Sequence, residues 1–324
     1  MTTVEAGKIY SYTINNLEED AVYALACSLK DMSENAYSKI VLSDGNEYEE
    51  VRFSINRNGS TFAMNENTEK LVNQYYVYSV DEDVVIEEVN VDPIENYVVK
   101  LNGNALTEGT DYKTSLSDRA EEWSKRTYTI SKSLFEEEGE YSIVVESTDK
   151  AETTAYSDVK NLNVSFVVDQ TKPVVTISGL ETSGRYQVEE QVVTIMPTDD
   201  GGRLNSVKVI LMDSDGKELS ILFEMSGEEL LNYLIENDGK ITFVVPEGLE
   251  NKVQIICDDC AVNAAGDTNE YNEIFERVTV SQSTWVIYYA NKPLFYGTIA
   301  STIAVIAGIT TLIVLKKRKK EENN

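Results

Sequence analysis

The chain has 324 residues, enough for two or three domains, and carries 56 acidic against 28 basic side chains, a net charge of −28. A surface this acidic repels polyanions, so no nucleic-acid partner is expected. With no histidine and three cysteines, the chain lacks Ser-His-Asp and Cys-His catalysis, most zinc chemistry and a disulfide scaffold.

Met1-Thr-Thr-Val-Glu-Ala has neither a basic nor an apolar region and does not read as a signal peptide. Given the membrane span described below, the chain is expected to be the C-terminal portion of a longer exported protein. The body then reads as strands. Tyr23-Ala-Leu-Ala-Cys-Ser-Leu-Lys-Asp31 alternates, with Leu25 and Cys27 inward, and follows an acidic turn, Glu18-Glu-Asp-Ala. Asp44-Gly45 marks a turn, and Phe53-Ser-Ile-Asn56 ends the next strand. Asn102-Gly103, between Tyr97-Val-Val-Lys-Leu and Ala105-Leu, is the sharpest hairpin signal.

Tyr141-Ser-Ile-Val-Val-Glu-Ser-Thr-Asp149 repeats the first strand after a second acidic turn, Glu137-Glu-Gly-Glu, with Ile143 and Val145 inward. Leu162-Asn-Val-Ser-Phe166 follows, ending in Val-Val-Asp169, and Lys172-Pro173 opens a third stretch containing Val174-Val-Thr-Ile and Val207-Lys-Val-Ile-Leu. Asp199-Asp-Gly-Gly and Asp213-Ser-Asp-Gly both read as hairpin turns, being too short for an EF-hand loop. Ser226-Gly-Glu-Glu-Leu-Leu-Asn-Tyr-Leu-Ile breaks the pattern as a short helix, about 227–236. Ser226 and Glu229 can form its capping box, and Leu230, Leu231, Leu234 and Ile235 make one apolar face. Asn251-Lys-Val-Gln-Ile-Ile-Cys-Asp-Asp259 is a third copy of the Asp-ended strand, with Val253 and Ile255 inward.

After each aspartate comes a matching turn, Met-Ser-Glu-Asn35, Lys-Ala-Glu-Thr153 and Cys-Ala-Val-Asn263. Phe166-Val-Val-Asp-Gln-Thr-Lys-Pro-Val-Val-Thr-Ile-Ser-Gly resembles the junctions between bacterial immunoglobulin-like (Big-type) domains of large surface proteins. The Asp149 turn resembles their Asp-x-Ala-Gly-Asn loop, with glycine replaced in all three copies. The resemblance covers nearly all of residues 1–281. It implies an all-β fold of tandem immunoglobulin-like β-sandwiches, mostly stalk and spacer, with no catalytic residue. The expected domains are 1–72, a partial one holding only its last strands; 73–170; and 171–283, which contains the helix. A sandwich so truncated is expected to leave open edges and an exposed apolar face.

Several residues invite a chemical reading. Tyr23 and Tyr141 stand where a tyrosine corner belongs, the hydroxyl bonding back to the turn; Asn251 replaces them in copy three. Asp31, Asp149 and Asp259 are structural candidates, each accepting backbone N–H bonds in an Asx-turn. The alternative for the late loop is calcium, with Asp169, Asp259, Asn263 and Asp267 as candidate ligands near one junction. Cys257-Asp-Asp-Cys260 reads as inert thiols or a local disulfide rather than a redox pair, because the acidic neighbours raise thiol pKa. Tyrosine is abundant, but its β-propensity accounts for most of it, leaving sugar binding a minor reading.

Residues 284–293 are an aromatic juxtamembrane stretch, with Trp285, Tyr288 and Tyr289 ahead of Phe295 and Tyr296. Residues 294–315 hold no charge and no proline and are long enough to span a bilayer, the expected partner. Lys316, Lys317, Arg318, Lys319 and Lys320 begin the tail 316–324 and predict a cytoplasmic C-terminus, with the N-terminal part extracellular at the cell membrane. No sortase-type Leu-Pro-x-Thr-Gly signal precedes the span. The leading expectation is a non-enzymatic stalk and anchor of a larger bacterial surface protein, without cofactors apart from the possible calcium. The alternatives are an adhesin or carbohydrate-binding module with a host or glycan ligand, and the anchor of a hydrolase whose catalytic domain lies upstream.

Overall fold

The computed structural model describes residues 13–15, 17–31, 33–116, 124–262, 266 and 268–321. The chain divides into two compact units, Met1–Val168 and Asp169–Asn324.

Unit 1 opens with β1 (Ala21–Ala26) and two small hairpins, β2 (Leu29–Lys30) with β3 (Ala36–Tyr37) and β4 (Ile40–Val41) with β5 (Glu47–Tyr48). Then β6 (Glu50–Ile55) returns antiparallel to β1, with Tyr23 opposite Phe53 and their rings stacked at 5.7 Å. Leu25, expected inward, is 38% exposed. The reason is that β1 and β6 form only a two-stranded sheet, too small to bury an apolar face. Cys27 lies just past β1 and is half-buried.

The rest of the unit is two sheets around one core. The first takes β7 (Thr61–Met64), β9 (Val84–Asn90), β12 (Tyr112–Leu116) and β13 (Ser124–Ile130) in the order β12-β13-β9-β7. The second contains β8 (Tyr76–Val77), β10 (Ile94–Leu101), β11 (Asn104–Ala105), β14 (Gly139–Asp149), β15 (Thr154–Tyr156) and β16 (Val164–Val168). Its order is β11-β10-β14-β16-β8, with β15 also on β14. Strand alternation sends Val84, Ile86, Tyr128 and Ile130 from one sheet against Val99, Ile143, Val145, Val164 and Phe166 from the other. Asn102 and Gly103 both take positive φ, 49° and 78°, in the two-residue turn between β10 and β11, where Lys100 faces Ala105.

A helix not anticipated from the sequence, α1 (Glu66–Gln74), lies on β9 and β16. Asn65 caps it by accepting from the Thr68 amide at 2.9 Å. Its Leu71 and Val72 pack against the core.

Unit 2 repeats the two-sheet plan. One sheet is β17 (Val174–Ser178), β19 (Gln191–Thr198) and β22 (Ile241–Val245), in the order β17-β19-β22. Opposite it β21 (Glu218–Ser226), β20 (Leu204–Met212), β23 (Gly248–Val262) and β24 (Thr268–Val280) pair in that order, with β18 (Arg185–Tyr186) parallel to β24. Val193, Ile195, Ile241 and Phe243 meet Val207, Val209, Val253, Ile255 and Cys257 in the core. Gly216 turns β20 into β21 at φ 88°, and Asp213 accepts from the Asp215 and Lys217 amides at 2.9 Å each. The Asp199 turn is not a hairpin: β19 and β20 belong to different sheets, so the segment between them crosses the unit.

The short helix is α2 (Gly227–Glu236), with Ser226 at the N-cap position but no side-chain cap bond. Leu230 and Leu234 are buried in the core, but Ile235, expected beside them, is 78% exposed. Tyr233 takes that side of the contact instead, its ring 5.6 Å from Phe223.

The aromatic stretch is itself helical. α3 (Thr284–Ala290) packs on β18, β23 and β24, and α4 (Lys292–Glu321) follows after one residue. Phe295 stacks edge-on against Tyr288 and Tyr289, 5.6 and 5.2 Å away. Lys292 sits 3.6 Å over the Tyr289 ring and 3.4 Å from Glu250, tying α4 to β23. Lys292–Lys319 is long and apolar enough to cross a membrane, and none of its apolar window is buried against protein. Its 28 residues rise about 42 Å at about 1.5 Å each, more than a hydrocarbon core of about 30 Å requires.

The burial pattern on α2 predicts that Leu230→Ala costs unit 2 about 2–5 kcal/mol, while Ile235→Ala stays within about 0.5 kcal/mol. Urea unfolding of the detergent-solubilised chain measures both; equal losses would refute the packing described.

Candidate metal centre

The three repeated aspartates bond alike, although only β14 ends on its own aspartate; β23, expected to stop at Asp259, runs on to Val262. Asp31 Oδ1 accepts from the Ser33 and Asn35 amides, each at 2.8 Å, on the surface. Asp149 Oδ1 accepts from Ala151 (3.0 Å) and Thr153 (2.9 Å), and Asp259 Oδ1 from Ala261 (2.8 Å). All three carboxylates reach an amide two residues on, because the side chain is short; Asp31 and Asp149 do so in a turn, Asp259 at the register shift within β23. Asp149 and Asp259 are also buried, so their second oxygens need donors from elsewhere in the unit.

In unit 1 those donors are carboxamides. Asn56 Nδ2 gives to Asp149 Oδ2 at 2.7 Å and to Asn90 Oδ1 at 3.0 Å; Asn90 Nδ2 gives to Asp149 Oδ2 at 3.1 Å and to Ser60 at 2.9 Å. Two residues back along β9, fully buried Glu88 accepts from the hydroxyls of Tyr128 and Ser147. Burial and this carboxylate drive the Tyr128 pKa far above the usual phenol range.

In unit 2 the equivalent place collects acids. Asp169, Asp199 and Asp259 each offer a carboxylate oxygen, and these oxygens lie within 4.8 Å of one another. Asn269 Nδ2 donates to Asp259 Oδ2 at 2.8 Å and to the carbonyls of Asp169 and Thr171 at 3.2 and 3.1 Å. The Thr171 amide donates to Asp169 Oδ1 at 3.1 Å. Asp199 is different: both its carboxylate oxygens are shut off from solvent and neither accepts a hydrogen bond. The Gly201 and Gly202 amides come near enough to lower its pKa without closing such a bond. Glycine is required there, because a Cβ at Gly201 or Gly202 would stand 2.6 or 2.0 Å from an Asp169 carboxylate oxygen.

Burial, and then the Asp169 charge, push Asp199 up to about 6. Burial lifts Asp259 to about 7, against the bonds from Asn269 and Ala261. Burial pushes the Cys257 thiol up to about 12, and Cys257 and Cys260 are both free. Three residues apart on one strand, they point to opposite faces.

Of the sequence candidates, the structure brings Asp169 and Asp259 together; Asn263 and Asp267 lie outside the described residues. Asp199 was missed. Its signal is the alternation Val193, Ile195, Pro197, Asp199, which carries the core-facing positions of β19 onto an acid. The tyrosine positions make backbone bonds: Tyr23 donates to the Glu19 carbonyl at 2.9 Å and Tyr141 to Glu137 at 2.8 Å. In copy three Asn251 packs over Gly248.

No family model matches this chain, and no curated protein does. Among solved structures it is similar to the N-terminal eight Ig domains of Down Syndrome Cell Adhesion Molecule isoform 1.30.30, at 11% identity and TM-score 0.19. That match covers 84% of this chain but only 33% of the other. It is also similar to BcpA, the major pilin subunit of Bacillus cereus, at 9% identity and TM-score 0.17, covering 79% and 82%. At such TM-scores the fold rests on the strand order itself.

A carboxyl whose folded pKa is raised binds its proton more tightly in the native state. Its contribution to stability is full below the unfolded value near 4 and is lost as pH rises through the folded value. With divalent cations chelated, the melting temperature of unit 2 should therefore fall between about pH 4 and pH 7, through Asp199 and Asp259. Asp199→Asn should flatten that decline by several degrees. An identical pH profile for both proteins would contradict the arrangement.

Proposed function

We propose that this chain is a non-enzymatic stalk and membrane anchor of a cell-surface protein. Immunoglobulin-like sandwiches in series would stand outside the cell and α4 would cross the membrane. The observation that carries the reading is α4: an apolar helix of spanning length, none of whose apolar window is buried, leaving unit 2 directly through α3. Exposing that surface to water is costly, and a bilayer removes the cost. Lys316, Lys317, Arg318 and Lys319 extend the helix on its far side, where basic residues favour the cytoplasm. Exposed Trp285, Tyr289 and Tyr296 suit the opposite interface. The acidity of the rest of the chain fits a solvated, self-repelling exterior.

The topology is tested with epitopes at the two ends of the chain in intact cells. Antibody should bind an epitope ahead of Met1 and fail to reach one behind Asn324 until the cells are permeabilised. Binding to the C-terminal epitope in intact cells would overturn the orientation.

A further inference from the structure

Units 1 and 2 place the same three positions together and fill them differently. Asn56 and Asp169 both follow Phe-x-x at a strand end. Asn90 continues the buried alternation Val84, Ile86, Glu88, as Asp199 continues Val193, Ile195, Pro197. Asp149 and Asp259 each stand four residues beyond a core position, Val145 and Ile255.

In unit 1 the set is Asn-Asn-Asp. Two carboxamides give N–H bonds to one carboxylate, and the constellation is satisfied by the chain alone. In unit 2 both carboxamides are replaced by carboxylates. The set loses four N–H donors and gains two negative charges, while its oxygens still converge within 4.8 Å. Buried Asp259 has its donors in Ala261 and Asn269. The Asp199 carboxylate has none, although both its oxygens are sealed from water and one of them lies within 4.8 Å of a carboxylate oxygen of each of the other two acids. An ionised carboxylate left in that state carries the full cost of desolvation.

We propose that Asp169, Asp199 and Asp259 bind one divalent cation, which takes the place the two carboxamides hold in unit 1. The donor set is oxygen throughout, which selects a hard ion. Calcium fits better than magnesium, because it tolerates irregular oxygen cages and gives up water more readily. The cation joins the entering strand segment at Asp169 to the ends of β19 and β23, closing one end of unit 2. The glycine pair 201–202 keeps the backbone slim enough for the acids to meet.

The test is calorimetric titration of calcium into the full chain, in detergent and stripped by chelator, beside melting curves at matched ionic strength. Wild type should bind one calcium tightly and gain several degrees in Tm, since the ion binds only the folded state. Asp199→Asn should weaken binding at least tenfold. Asp169→Asn with Asp199→Asn together rebuild the unit 1 set and should abolish the tight site in a chain that still melts cooperatively. Replacing exposed Asp215 by Asn should change nothing. Only weak, many-site binding in wild type, or tight binding that survives the double substitution, would overturn the proposal.

Discussion

A buried aspartate at the end of a core strand has to be neutralised where it stands, and that constraint organises one end of each unit. Asp149 and Asp259 serve two masters. One oxygen accepts from the amide two residues on; the other binds an Asn side chain from elsewhere in the same unit. An uncompensated carboxylate in such a place costs several kcal/mol, more than the turn bond returns. The partners are therefore part of the fold: Asn56 arrives from the strand paired with β1, Asn90 from β9 in the facing sheet, and Asn269 from β24. In unit 1 the loop, the entering segment and both sheets are thereby tied to one carboxylate.

The same economy governs the connections. Asn102-Gly103 closes β10 onto β11 because both residues accept positive φ, and the tyrosine hydroxyls of Tyr23 and Tyr141 hold the acidic turns preceding their strands. At the C-terminus, α3 rests on the β24 side of unit 2 while its rings meet Phe295 of α4. Lys292 closes the joint through Glu250 and Tyr289. The apolar helix is thus packed onto its unit by α3 and an ion pair rather than strung on a bare linker.

Much of this was legible in the sequence because it is written in period two. Ile143, Val145, Val253 and Ile255 fall inward as the alternation requires, and the Asp-x-x-x turns recur in register. The apolar run 294–315 announced its helix by length and lack of charge. Other features needed three dimensions. Leu25 alternates as well as Ile143 but finds no second sheet over it, and Ile235 lies just off a stripe that only two leucines fill. The helix α1 is hard to see in the sequence because its polar residues outnumber Leu71 and Val72, although its cap, Asn65 with Thr68, is written there. Asp199 reads as part of a hairpin because Asp-Asp-Gly-Gly is turn chemistry in either setting. Only the change of sheet between β19 and β20 places its carboxylate beside Asp169 and Asp259.

The central claim is that the strand-end aspartate and its carboxamide partner act as one element of structure. A double-mutant cycle on Asn56→Ala and Asp149→Ala in the solubilised full chain, read by the unfolding of unit 1, measures it directly. Hydrogen bonds to a buried charge predict a coupling of about 1.5–3 kcal/mol between the two positions. Additive losses, with a coupling within about 0.3 kcal/mol of zero, would contradict the account.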